Sequence, residues 1–264
     1  MDWSRIKTIF IITFLILDVY LIYQFIVKHD ANQYEVKKEA SVEEQLKEDE
    51  ITFIEMPKTA IKDQYLSARI KEFTKEDTNK LKGQSVTIID KTILASKLEK
   101  PFQLDPNFEP ASLSGLISEY VLNGNDYFYW DRDDKEKTIT YFQQYQNKYF
   151  YQNKNGMIVF HLNKNNQIIS YEQTYLEGID KLNTKEKVIE PLKALGILHQ
   201  KGLLETKSSI TKAELGYSTI VPLASTQVFA PTWRFVVDGK KSLFVNAFEG
   251  QVIEFNSEEK EVTE

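Results

Sequence analysis

The chain has 264 residues, a formal net charge of −6, an apolar fraction of 42%, an aromatic fraction of 12% and no cysteine. The apolar content is too high for a disordered polymer, and the acidic balance with no basic stripe excludes a general nucleic-acid binder. Without cysteine there are no disulfides, thiolate metal sites or cysteine nucleophiles, although this alone does not fix the compartment.

The first element is IFIITFLILDVYLIYQFIV, residues 9–27, in which fourteen of nineteen residues are Leu, Ile, Phe or Val. A helix of that length is about 28 Å long, close to the hydrocarbon thickness of a bilayer. The apolar side chains together favour insertion by roughly 4 to 8 kcal/mol, and the central Asp18 costs about 2.5 to 3.5 kcal/mol. Insertion therefore survives the aspartate with a modest margin. The run ends in Tyr23-Gln-Phe-Ile-Val-Lys-His-Asp30 with no small-residue cleavage site, which predicts an uncleaved single-pass anchor. Arg5 and Lys7 on one side nearly balance Lys28, Lys37 and Lys38 on the other. Orientation thus rests on the short tail before a large domain, the layout of a signal-anchor. That layout places residues 1–8 in the cytoplasm and the rest outside the membrane.

Residues 28–50 are charge-dense and read as a solvated stalk, helical from Ser41, where Ser41-Val-Glu-Glu44 matches a capping box. Short strands are predicted at Ile51–Ile54, Tyr65–Phe73 and Val86–Ile89. The three prolines between Pro101 and Pro110 predict an irregular connection. Ala111–Leu122 carries Leu113, Leu116, Ile117, Tyr120 and Val121 at helical spacing and stops at Asn123-Gly124. A strand-rich block follows, at Tyr127–Trp130, Thr138–Tyr145, Tyr149–Tyr151, Met157–Leu162 and Ile168–Tyr175, punctuated by turn residues. Thr184 is a plausible cap for a second helix through Leu198, and Pro191 either kinks it or moves its start later. Strands are predicted at Ala213–Val221, Thr232–Val237, Ser242–Ala247 and Gln251–Phe255, with turns at Asp238-Gly239 and Glu249-Gly250.

Residues 158–171 align with 242–255 at a constant offset of 84, matching Phe160 with Phe244, Gln167 with Gln251 and Tyr171 with Phe255. Each copy is a hairpin preceded by a helix, which is consistent with two related α+β subdomains, 51–180 and 181–264, built of antiparallel sheets with packed helices.

Sites for chemistry are few. His29, His161 and His199 are far apart and in no metal-ligand spacing. Asp131-Arg-Asp-Asp-Lys-Glu136 fails the calcium-loop template for want of glycine at its sixth and glutamate at its twelfth position. Ser209-Ile-Thr-Lys212 matches S-x-x-K without the partner motifs that give it meaning. The expectation is a non-enzymatic protein with no cofactor.

Two features carry residue-level interest. Asp18, with Phe14, Leu15, Leu21 and Ile22 beside it on the helical wheel, is a candidate partner contact in the membrane, because an intramembrane carboxyl faces protein or is neutralised; the alternative is a tolerated, protonated residue. Tyr127, Tyr129, Trp130, Tyr149 and Tyr151 concentrate large rings in one hairpin region. They serve either burial between subunits or an extracytoplasmic partner surface.

The start, Met1-Asp-Trp-Ser-Arg-Ile-Lys-Thr-Ile-Phe-Ile11, together with Glu214-Leu-Gly-Tyr217, Ala230-Pro-Thr-Trp-Arg-Phe-Val-Val-Asp-Gly239 and Phe244-Val-Asn-Ala-Phe-Glu-Gly-Gln-Val-Ile253, resembles the YycI (WalI) family over essentially the whole chain. Less specifically, the C-terminal part is similar to PepSY-type domains. The YycI resemblance implies a single-pass membrane protein whose large domain lies outside the cytoplasm. It implies partnership with a YycH-like protein and with the WalK sensor kinase of the WalK–WalR two-component system, which controls cell-wall metabolism. It also implies that the transmembrane helix carries much of the kinase contact. No catalytic residues are known for the family. An extracytoplasmic ligand- or protein-binding module on a passive anchor is the alternative.

Overall fold

The structure, a computed structural model, describes residues 3–33, 41–57, 59–222 and 225–255. The chain divides into two units, Met1–Glu48 and Asp49–Glu264.

The first unit is helical. Helix α1 (Trp3–Gln33) contains neither Gly nor Pro and continues beyond Val27 into residues expected to form the stalk. Its side chains from Phe10 to Tyr23 are all exposed. Among the described residues no helix is long and apolar enough to cross a membrane. The unbroken run of described side chains, Phe10 to Tyr23, is shorter than the roughly 20 residues a span needs, and the side chains at 24–27 lie outside those described. The expected linker at residues 34–40 also lies outside them. Helix α2 (Val42–Glu48) opens on the predicted capping box. The Ser41 N–H donates to Glu44 Oε2 at 2.7 Å, and the Glu44 N–H donates to Ser41 Oγ at 3.3 Å.

The second unit begins with β1 (Thr52–Phe53), β2 (Lys62–Asp63) and β3 (Leu66–Ile70), then α3 (Lys75–Asn79) and the hairpin β4 (Gln84–Ile89) and β5 (Ile93–Gln103). A 3₁₀ turn at Pro110–Leu113 leads into α4 (Ser114–Tyr120). Asn123 then adopts the left-handed region at φ 51° and turns the chain. Next come β6 (Tyr127–Asp133), β7 (Thr138–Tyr145), β8 (Lys148–Tyr149), β9 (Met157–Leu162), β10 (Gln167–Gln173), β11 (Leu176–Lys181) and β12 (Glu186–Lys187). Helix α5 (Pro191–Gln200) and strands β13 (Ser209–Pro222), β14 (Thr226–Val237), β15 (Lys241–Asn246) and β16 (Val252–Ile253) complete it. The fold class is α+β, rich in strand.

Two main sheets result. The first runs β4-β5-β10-β9-β7-β6, with β8 beside β7. One face packs on α4 through a core that includes Leu94, Leu113, Leu116, Ile158, Phe160 and Tyr171. The second runs β1-β13-β14-β15-β16. Its β14 pairs β3 along Thr226–Phe229 and β15 along Thr232–Val237, so two strands lie end to end on one flank. Pro231 falls at the junction between them, where its missing N–H costs no ladder bond. Helix α5 packs on β14 and β15, and the buried Trp233 donates from Nε1 to the Ile189 carbonyl at 2.8 Å.

The similarity of 158–171 to 242–255 has a topological counterpart. A helix followed by a four-stranded antiparallel meander occurs twice, as α4-β6-β7-β9-β10 and as α5-β13-β14-β15-β16. The hairpin registers differ: Phe160 faces Tyr171, whereas Phe244 faces Ile253.

Several boundaries differ from expectation. Pro101 lies inside β5, not in a loop, because pairing with β10 is interrupted between Lys97 and Phe102 and needs no N–H there. The second helix starts at Pro191, not Thr184, since proline fits the first helical turn, whose N–H has no partner in any case. Strand β11 was not foreseen. The expected division at residue 180 does not coincide with the sheets, because β1, β3 and β11 from its N-terminal side pair within the second sheet.

Candidate functional site

The segment between β7 and β9 is a strap that leaves the first sheet and lies on β13 of the second. Phe150 bridges Tyr217 in parallel, and the Tyr151 N–H donates to the Tyr217 carbonyl at 2.8 Å. The Tyr151 hydroxyl donates to the Glu214 carbonyl at 3.2 Å. Gly216 permits this approach, since a Cβ there would stand 2.5 Å from two Tyr151 ring carbons. Asn153 Nδ2 donates to Gln227 Oε1 and Thr219 Oγ1 at 2.6 and 2.7 Å. Asp63, 2% exposed, accepts from Lys148 Nζ at 2.5 Å and from the Tyr217 hydroxyl at 2.9 Å.

Beside the strap, Trp130 on the edge strand β6 meets Arg234 on β14. The guanidinium carbon lies 4.0 Å from the indole centre, within cation–π range. Arg234 is held further by Ser242 Oγ at 3.0 Å and Glu214 Oε2 at 3.1 Å. Trp130 also packs edge-on against Phe142 and Tyr149, at 5.3 and 5.7 Å between centroids. Next to this pair opens a cleft of ≈ 440 Å³, whose walls come from both sheets.

The ring cluster predicted as a partner surface is thus largely a junction between sheets. Tyr127 and Tyr151, 4% and 1% exposed, are corrected to core residues. Tyr127 donates its hydroxyl to the Thr174 carbonyl and accepts from Gln173 Nε2 at 3.1 Å. Burial pushes both hydroxyls well above the ordinary tyrosine range. Tyr129, Trp130 and Tyr149 are half-buried. Tyr149 is also raised, by burial first and then Glu214, with Arg234 opposing. Asp18, Phe14, Leu15, Leu21 and Ile22 are exposed on α1.

The weaker motifs resolve locally. Asp131–Glu136 covers the end of β6 and the turn into β7, where Asp133 Oδ1 accepts from the Lys135 and Glu136 N–H groups at 2.8 and 3.0 Å. His199 Nε2 contacts Asp49 Oδ2 at 2.6 Å, and His161 lies half-buried on β9. The His29 side chain is outside those described. Of S-x-x-K, Lys212 lines the cleft. Among the described residues no three metal-capable side chains cluster. The reading from sequence missed Lys212, Arg234 and Lys240 as cleft residues. One signal was available: Arg234 is a charge in an otherwise apolar run, Trp233-Arg-Phe-Val-Val237.

No curated protein matches the chain. Similar solved structures include an uncharacterized protein from Eubacterium rectale ATCC 33656, 11% identical, covering 79% of this chain and 92% of that one at TM-score 0.47. YycH from Bacillus subtilis is 10% identical over 74% of this chain and 54% of its own, at TM-score 0.42. The Bacillus megaterium YpeB C-terminal domain is 11% identical over 71% and 87%, at TM-score 0.37. A family model described as YycI protein matches residues 31–248, most of the sequence and nearly all of the two-sheet unit, so the chain belongs to the YycI family.

Proposed function

We propose that the chain is a non-enzymatic, membrane-anchored regulator of a sensor histidine kinase of the WalK type, acting with a YycH-like partner in the control of cell-wall metabolism. Family membership supports the regulatory role. Residues 1–8 form a cytoplasmic tail, 9–27 the transmembrane helix, 28–50 a stalk and 51–264 the extracytoplasmic α+β part, with a PepSY-like C-terminal portion. The observation that carries the anchor reading is α1 itself, a 31-residue helix whose described apolar side chains are all exposed. An apolar surface of that kind is covered by lipid or by another helix. The aspartate within it, Asp18, favours the helix as a partner for the kinase rather than a passive tether.

A second reading, a ligand- or protein-binding module on a passive anchor, is favoured by the cleft between the sheets. Replacing residues 1–30 with an unrelated single-pass anchor separates the two, with kinase co-purification and kinase-dependent transcription as readouts. Loss of both supports contact through α1. Full retention overturns it in favour of the second reading.

A further inference from the structure

We propose that the cleft beside Trp130 and Arg234 binds a phosphorylated polyol. This goes beyond the regulatory function and does not depend on what α1 contacts. The first observation is charge. The chain is acidic overall, at −6, yet Lys212, Arg234 and Lys240 converge on one cleft. Arg234 is balanced by Glu214. Lys212 and Lys240 are exposed, and among the described residues neither forms an ion pair. Set against Asp131, two ammonium groups beside a fixed guanidinium leave the cleft cationic and favour an oxyanion, as a phosphomonoester or a phosphodiester.

The second observation is the neutral and acidic lining. Asp131 and Gln152 are exposed at the mouth. The Thr211 hydroxyl donates to the Val236 carbonyl at 3.2 Å, which leaves its oxygen to accept. Ser242 Oγ accepts from Arg234 Nε, which leaves its hydroxyl proton to donate. The cleft therefore offers cations and a donor for phosphate, and acceptors for hydroxyl groups. A bare anion would leave the acceptors unused and face Asp131 without compensation. The volume, ≈ 440 Å³, fits a small molecule rather than a lone ion.

The third observation is rigidity. Arg234 is held by ring, hydroxyl and carboxylate together, so little ordering remains to be done on binding. Because the walls come from both sheets, an occupant would touch both.

The test uses the full chain in uncharged detergent micelles, with glycerol 1-phosphate as probe. The indole ¹⁵N–¹H signals of Trp3, Trp130 and Trp233 report binding. A saturable shift of the Trp130 signal is expected, with glycerol silent and inorganic phosphate binding more weakly. The exposed pair K212A/K240A should weaken binding about tenfold or more, with an unchanged thermal melt as the folding control. Short-chain phosphatidylglycerol in the same micelles distinguishes the source. Tighter binding of the soluble probe assigns a free ligand, and tighter binding of the lipid assigns a headgroup. Absence of a saturable shift with both probes overturns the proposal, as does equal affinity in wild type and K212A/K240A. Inorganic phosphate binding as tightly as glycerol 1-phosphate overturns the polyol assignment.

Discussion

Tyr151 occupies the space that a side chain on Gly216 would need. A Cβ at Gly216 would meet two ring carbons at 2.5 Å and the Tyr149 carbonyl at 2.7 Å. Tyr151 is 1% exposed, and its ring has nowhere to retreat without lifting the strap from β13. Gly216→Ala should therefore destabilise the protein by about 1–3 kcal/mol or more through overpacking, read as a lower midpoint in urea. A midpoint within error of wild type would mean that the strap yields freely.

The Asp63 cluster is the polar counterpart of that contact. A carboxylate 2% exposed is satisfied by Lys148 and Tyr217. Asp63→Ala should cost about 3 kcal/mol, the low end for a broken buried pair, because Lys148 is 26% exposed and can rehydrate. Tyr217→Phe, which keeps the ring, should cost about 1 kcal/mol. Urea melts of both variants check the ordering; a larger loss in Tyr217→Phe would contradict it.

Trp130 and Arg234 lend themselves to a double-mutant cycle. With Trp130→Leu and Arg234→Met, a coupling of about 1–2 kcal/mol is expected for a half-buried cation–π pair. Additive effects would mean that Glu214 and Ser242 alone fix the guanidinium.

Acid stability should depend on Asp77, which caps α3. Burial pushes its carboxyl up, but the Thr74 N–H and hydroxyl and the Lys71 ammonium outweigh this, and it titrates below the ordinary range. The folded value lies below the unfolded one. The contribution is therefore complete above the unfolded pKa near 4 and is lost as pH falls through the folded value. The stability gap between wild type and Asp77→Asn should narrow as pH drops from about 5 to about 2. A gap independent of pH would assign the loss to hydrogen bonding alone.

On α1, Asp18→Leu raises apolarity, so anchoring should persist while kinase co-purification and signalling output fall. Unchanged association and output would remove Asp18 from the mechanism.

Much of this fold was legible because its local signals are strong. The capping box at Ser41, the asparagine stop at Asn123 and the Asp238-Gly239 turn each encode geometry within a few residues. The misread places depend on distant partners. Pro101 is tolerated in β5 only because β5 bulges there, with residues 98–101 standing opposite the single residue 169 of β10, and β11 exists only because β3 offers an edge. The cleft was hidden for the same reason: Trp130, Lys212 and Lys240 carry no shared spacing, and only the docking of one sheet on the other brings them together. The aromatic cluster was visible as a concentration of rings, but burial of Tyr127 depends on which face of β6 meets the core, and burial of Tyr151 on the docking of the strap on β13.

The pairing of β3 with β14 joins Leu66 to Phe229, and Arg69 to Thr226. Most of the chain therefore lies in the loop that this contact closes, and such contacts form slowly because their entropy is lost before their bonds are gained. Until the C-terminal strands emerge, β3 and β11 hold an open edge with no neighbour. If the domain crosses the membrane N-terminus first, that edge waits outside the cell for its partner strand. The last quarter of the protein, cut away from residues 52–70, would carry an unpatched flank on β14 and should be prone to strand-to-strand aggregation.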